Sequence, residues 1–219
     1  MFEVSSLINT PLEELKFSVI DTETTGMNAV HNRIVDIAII TVQDYKIVST
    51  WEKLLDPKQE IPFWITNFTH IRNSQVKGKP TFNDVCEDVY SRIQNTIIVG
   101  HNVGFDYAFL LHEFARVGKK VAFPKLCTVL LGRTFLGDLP RFGLDTLIDY
   151  YNISIENRHR AYPDAYATAL IFLDFLQKAK KDFNSKTFYD IQRLQKTKKY
   201  KSINTGESLF ANSLSQNDS

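Results

Sequence analysis

Cysteine is scarce in this sequence: Cys86 and Cys127 are the only two among 219 residues. Two cysteines cannot build a disulfide framework or supply a structural zinc site. No segment approaches the run of about 18 apolar residues that a membrane span needs. The opening Met1-Phe2-Glu3 has neither the basic nor the apolar stretch of a secretory signal. These absences lead us to expect a cytoplasmic protein with no membrane partner. Strong net charge is missing too, at +1, although the balance is uneven along the chain. Residues 1–177 hold 17 Lys+Arg against 21 Asp+Glu, whereas residues 178–219 hold 9 against 4. Overall charge therefore does not mark a nucleic-acid binder, and any such role has to come from particular residues.

What is present reads as one α/β domain. A short strand at 17–21, a β-branched run at 33–42 and a segment at 47–55, the last two joined across the turn 43–46, predict an antiparallel meander. The period then changes: Phe82, Val85, Cys86, Val89 and Ile93 recur at helical spacing behind Pro80 and a capping Thr81. A strand at 96–99 follows, then a helix from Gly104 to Val117 stopped by Gly118, and a helix over 143–152. The last strong helix is expected to begin at Pro163 and to bury Tyr166, Ala169, Leu170, Leu173 and Leu176. Strands first and helix–strand alternation afterwards imply a mixed sheet flanked by helices. No repeat or linker interrupts the chain before about 180, so the domain is expected to span 1–180. A basic helix end and a disordered polar tail are expected over 181–219, with a Lys-rich run at 196–201.

The chemistry concentrates in acidic residues. Side chains two apart on a strand share a face, so Asp21 and Glu23 can serve one site. A D-x-E triplet alone means little, since one arises by chance about once in a chain of this size. Asp106, in HNVGFD, and Asp164, in RHRAYPDA, each stand in the first turn of an apolar helix, where a lone Asp is ordinarily a cap. Together the four would gather at one edge of a parallel layer. Two unit charges about 4 Å apart at an effective dielectric near 20 repel by ~4 kcal/mol, so such a cluster calls for counter-charge. Two divalent cations balance it, and all-oxygen donors suit Mg²⁺ or Mn²⁺ rather than zinc. Histidine spacing does not decide the base, because H-x4-D occurs at His31, His101 and His159. His159 stands in a polar loop and is favoured as general base over His101, which follows an apolar strand and is placed to pack and hydrogen-bond.

The motifs DTETTG (21–26), HNVGFD (101–106) and HRAYPDA (159–165), in that order, resemble those of the DEDDh 3′→5′ exonucleases, in particular the epsilon proofreading branch of bacterial DNA polymerase III and the matching domain of Gram-positive replicative polymerases. RIVDIAII (33–40), IPFWITNFTHI (61–71), KPTF (79–82) and FGLDTLIDYYNI (142–153) agree, so the likeness covers roughly 16–178. It implies a ribonuclease H-like fold with a five-stranded mixed sheet. Asp21, Glu23, Asp106 and Asp164 would be the metal ligands, two Mg²⁺ or Mn²⁺ the cofactors, and His159 the base. The related branch with Tyr in the base's place sets it where this chain has Arg160, which favours the His branch. The reaction implied is hydrolysis of the terminal phosphodiester of a single-stranded DNA 3′ end, releasing nucleoside 5′-monophosphates, with a DNA polymerase subunit as a partner.

Thr24, Thr25, Gly26, His101, Asn102 and Phe105 are candidate substrate contacts. Phe63, Trp64 and Phe105 are candidates for stacking on a base, with packing in the core as the favoured alternative. Two departures from the family pattern stand out: Cys127-Thr128 where Asp-Thr is common, and His70 where Gly is common. The rival readings are a free-standing exonuclease on RNA or repair intermediates, and a catalytically silent module that holds a strand or a polymerase. A weaker rival function is docking of a partner by Leu209-Phe210 in the tail.

Overall fold

The computed structural model describes residues 7–196. Leu209, Phe210 and all of the Lys-rich run except Lys196 lie outside the described residues. The elements follow as β1 (Lys16–Thr24), β2 (Ile34–Gln43), β3 (Lys46–Leu54), α1 (Phe63–Thr69), α2 (Asn73–Val76), α3 (Phe82–Ile93), β4 (Ile97–Gly100), α4 (Gly104–Arg116), β5 (Lys125–Cys127), α5 (Thr128–Phe135), α6 (Leu144–Tyr151), α7 (Ala161–Phe183) and α8 (Phe188–Leu194).

The five strands form one sheet in the order β3-β2-β1-β4-β5. The expected meander is there: β1 pairs antiparallel with β2, and β2 with β3. β4 and β5 add in parallel on the other side of β1. Period-2 alternation divides the core into two layers. Phe17, Val19, Ala38, Ile40, Val42, Ile97 and Val99 face α5 to α8. Ile20, Ile37, Ile39 and Ile98 face α3 and α4. Thr81 caps α3 as its sequence suggests, exchanging bonds with Asp84 in a capping box. Gly118, at φ +77, ends α4 in a conformation that glycine adopts freely.

The face that α7 buries matches the expected one at Ala169 and Leu176 and differs from it elsewhere. Ala161, Ala165, Ala169, Phe172, Phe175 and Leu176 pack into the core, while Tyr166, Leu170 and Leu173 are only partly buried. Small residues let the helix lie close against β1 and β2, and the longer side chains spread to its flanks. Pro163 sits within the first turn rather than at the first position. Phe188 and Ile191 of α8 join the same core cluster. Among the described residues, no helix is long and apolar enough to cross a membrane.

Candidate active site

The site begins with the alternation of β1. Asp21 and Glu23 continue the Phe17–Val19 row, which faces α7. Asp164 stands in the first turn of that helix, where the helix dipole favours an anion. One carboxylate oxygen from each of Asp21, Glu23 and Asp164 lies within 4.8 Å of the others. Asp106 arrives from the opposite layer, in the first turn of α4. Its Oδ1 accepts from the backbone N–H (2.9 Å) and the hydroxyl (2.8 Å) of Thr22, the residue between the two strand acids. The carboxylates thus reach one edge of the sheet from both of its faces.

Burial and mutual repulsion push these acids up. Asp21 is held well above the usual carboxylate range by burial, then by Asp106, Glu23 and Asp164. Glu23 rises to about 8, through burial and then Asp164, Asp36 and Asp106. Asp106 rises to about 7 by burial, against the lowering effect of its Thr22 bonds. Asp164 is raised by burial, with Arg158 opposing. An all-oxygen cluster that raises its own protonation so far is short of positive charge, and a hard divalent cation fits the donor set.

A pH dependence follows for the metal-free protein. Glu23 moves from 4.5 to about 8 and Asp106 from 3.8 to about 7, so in this window the folded state binds more protons than the unfolded one. The stability these groups allow is complete below their unfolded values and is lost as pH rises through the folded ones. In EDTA the melting temperature is expected to fall between about pH 5 and pH 8, and added Mg²⁺ to flatten the decline. A metal-free melting temperature that rises across that range would contradict the clustering.

His159 occupies the loop before α7 with a left-handed backbone, φ 62. The loop is tied on both sides of it. Arg158 forms an ion pair with Asp164 and donates from Nε to Asp145 Oδ1 (3.0 Å). Arg160 Nε donates to Asp36 Oδ2 (2.8 Å), and Asp36 is buried on β2 as the cross-strand partner of Glu23. His101 is packed and hydrogen-bonded, its Nδ1 3.0 Å from the Thr128 hydroxyl. Burial holds its imidazole down to about 4, so it stays neutral near pH 7. Thr128 also donates to Gly100 O (3.3 Å), a role that needs nothing from the Cys127 that replaces the more common Asp.

A cavity of about 570 Å³ opens on the cluster. It is lined by Asp21, Glu23, Asp106, Asp164, His101, Asn102, Phe105, His159 and Thr24, all expected from the sequence, and by Met27, Trp64 and Phe68. Thr25 and Gly26 do not line it. The Thr25 hydroxyl is buried between the Arg33 N–H, which donates to it at 3.0 Å, and the side chain of Gln59. At Gly26 a Cβ would come within 2.5 Å of Asn32 Oδ1, so the space a side chain would fill belongs to Asn32. The favoured core reading of Phe63 and Trp64 is overturned, for they are 79% and 55% exposed. Their helix buries only Ile65 and Thr69. Phe105 is partly buried, packs on Phe109 with ring centroids 4.9 Å apart, and still reaches the cavity.

Sequence reasoning missed Phe68, Met27 and the pairing of Arg158 with Asp164. Spacing holds a signal for the first, since Phe68 lies one helical turn from Trp64. His70 takes the left-handed position that ends α1, at φ 59, which explains why glycine suits that place.

A profile described as Exonuclease (RNase_T) matches residues 18–172. The chain belongs to this exonuclease family. Its fold is ribonuclease H-like, the five-stranded mixed sheet expected from the motifs. The PolC-type DNA polymerase III of Clostridium perfringens is 33% identical over 82% of the chain, which spans 12% of that protein's length. The DNA polymerase III epsilon subunit of Aquifex aeolicus is 30% identical over 83% of the chain and 91% of its own. Among solved structures, exonuclease X in complex with 5′ overhanging duplex DNA superposes with a TM-score of 0.64 at 25% identity, covering 83% of this chain and 99% of that one. E. coli exonuclease I in a single-stranded DNA complex gives 0.67 at 20% identity over 77% of this chain and 41% of that one, a likeness of fold.

Proposed function

We propose that this exonuclease is a metal-dependent 3′→5′ enzyme of the proofreading type, acting in the cytoplasm on DNA ends. The observation that carries the reading is the meeting of Asp21, Glu23, Asp106 and Asp164 at one cavity from three separate elements. Asp21, Glu23 and Asp164 would hold the cofactor, with Asp106 completing the set for two Mg²⁺ or Mn²⁺. When bound, such ions lower the pKa of a water and stabilise the departing 3′ oxygen.

The chain's own residues do the rest. His159, partly exposed on a polar loop, accepts the proton of the attacking water and returns it to solvent. His101 stays neutral and keeps the turn into α4 in place through Thr128. Thr24, Asn102, Phe105 and Trp64 line the space for the terminal nucleotide, the aromatic pair offering faces to a base. The relatives support DNA as substrate and a polymerase as partner: one is a DNA polymerase III and one a DNA polymerase III subunit by name, and two solved neighbours hold DNA.

The test is a nuclease assay on a 5′-labelled single-stranded DNA with Mg²⁺, run against EDTA, against RNA of the same sequence, and against duplexes paired or mispaired at the 3′ end. Stepwise shortening from the 3′ end with release of 5′-monophosphates is expected, faster at a mispaired terminus. His159→Ala is expected to slow turnover by about 10²–10⁴-fold while divalent-ion affinity survives. Shortening of RNA alone would move the substrate to RNA. No cleavage with binding retained would make the chain a silent module.

A further inference from the structure

A general base usually takes its orientation from a hydrogen-bonded partner on its second ring nitrogen. Among the described residues no hydrogen bond holds the imidazole of His159. Its close side-chain neighbour is the ring of Phe68, with centroids 4.2 Å apart and planes tilted by 35°. Phe68 is 54% exposed, so the packing of α1 does not account for it. That helix is fixed by other residues: Ile65 and Thr69 are buried, and Ile65 joins Val35, Ile61, Ile71 and Val76 in a small core of its own. Phe68 therefore projects from an anchored helix into the cavity that Asp21, Asp164 and His159 also line. The peptide of His159 is constrained as well, by its left-handed backbone and by the paired arginines on either side.

We propose that Phe68 is the positioning residue of His159. Its ring face, standing where a hydrogen-bonding orienter would otherwise be, sets the direction of the imidazole. This leaves both ring nitrogens free, one to take the proton of the attacking water and either to hand it to bulk solvent. Offset ring contacts of this kind are specific in geometry, which is what an orienting contact needs. The inference rests on the reading of His159 as the base.

The test is a double-mutant cycle with Phe68→Ala and His159→Ala, together with Phe68→Tyr, each variant melted to verify that it folds. Phe68→Ala is expected to lower kcat by about 10-fold at nearly unchanged KM, as a misdirected group does. Phe68→Tyr should restore it. Combined with His159→Ala, the Phe68 substitution should cost nothing further. Multiplying effects, or a raised KM at unchanged kcat, would instead make Phe68 a contact to the nucleotide and overturn the proposal. Proton NMR of the His159 ring reads the stack without any reaction. Its resonances should sit upfield in the wild-type chain and return toward random-coil positions in Phe68→Ala. Absence of that shift overturns the proposal through its geometry. A fully active His159→Ala overturns it through the assignment of the base, and the NMR result separates the two failures.

Discussion

Asp21→Asn is expected to lower nuclease turnover by ~10³-fold and, in EDTA, to raise the melting temperature. The first effect follows from the position of Asp21 in the oxygen triad with Glu23 and Asp164. Electrophilic stabilisation by a bound ion is worth several kcal/mol, and each 1.36 kcal/mol is a decade of rate, so a lost ligand removes about three decades. The second effect has the opposite sign because the same carboxylate destabilises the metal-free fold. Asp21 is held well above its ordinary range by burial and by three acidic neighbours, which means that folding works against its charge at neutral pH. A neutral amide of the same shape relieves that repulsion. A gain of about 4 °C is the expected size, given that ~1 kcal/mol moves a chain of this length by 2–4 °C. Paired melts with and without Mg²⁺ check it: the wild type should gain more from the ion than the variant does. If Asp21→Asn melts lower than the wild type in EDTA, Asp21 is a structural acid rather than a functional one.

The acids behind these effects are legible in the sequence for physical reasons that other parts of the molecule lack. Asp21 and Glu23 are readable because strand alternation is strict, and Asp106 and Asp164 because both stand at the start of strongly apolar helices. The central strands show as β-branched runs since both faces of β2 are covered. Short elements carry no such pattern. β5 has three residues and passes straight into α5 at Thr128 with no turn chemistry between them. α1 has seven residues, and its aromatics at 63 and 64 look like core because apolar spacing does not distinguish a buried stripe from an exposed one at a cavity mouth. The face of α7 is misjudged for a related reason. Alanines carry little hydrophobic signal, yet Ala161 and Ala165, beside the expected Ala169, are what allow the helix to lie close enough for Asp164 to meet the strand acids. Ion pairs such as Arg158–Asp164 depend on the path of a loop, which sequence pattern does not encode.

Arg33→Ala is expected to destabilise the fold by about 3–5 kcal/mol, the cost of breaking a buried ion pair from one side. The carboxylate it would leave behind is Glu113, whose side chain is 1% exposed on α4. Arg33 grips both its oxygens, from Nε at 2.7 Å and Nη2 at 2.8 Å. The Ile34 N–H at 3.2 Å and Arg116 at 3.5 Å remain, and neither supplies the planar fork. At 2–4 °C per kcal/mol, the melting temperature should fall by about 10 °C. Arg33→Lys should recover little of this, because an ammonium cannot make the bidentate contact, whereas Arg33→Met combined with Glu113→Leu should recover most of it. The site would feel the loss as well. Arg33 closes the loop after β1, where its carbonyl accepts from the Thr25 N–H at 2.9 Å and its own N–H donates to the Thr25 hydroxyl at 3.0 Å. Thr24 and Met27, which flank that bond, line the cavity. Asp106 and Glu113 lie two turns apart on α4, so one carboxylate seats the helix on β1 through Thr22 and the other seats it at the start of β2 through Arg33 and the Ile34 N–H. Loosening the second anchor should therefore raise KM while the carboxylate cluster, and with it divalent-ion affinity, is retained. Thermal melts and steady-state kinetics on the same preparations decide the matter: an unchanged melting temperature would show that Glu113 does not depend on Arg33.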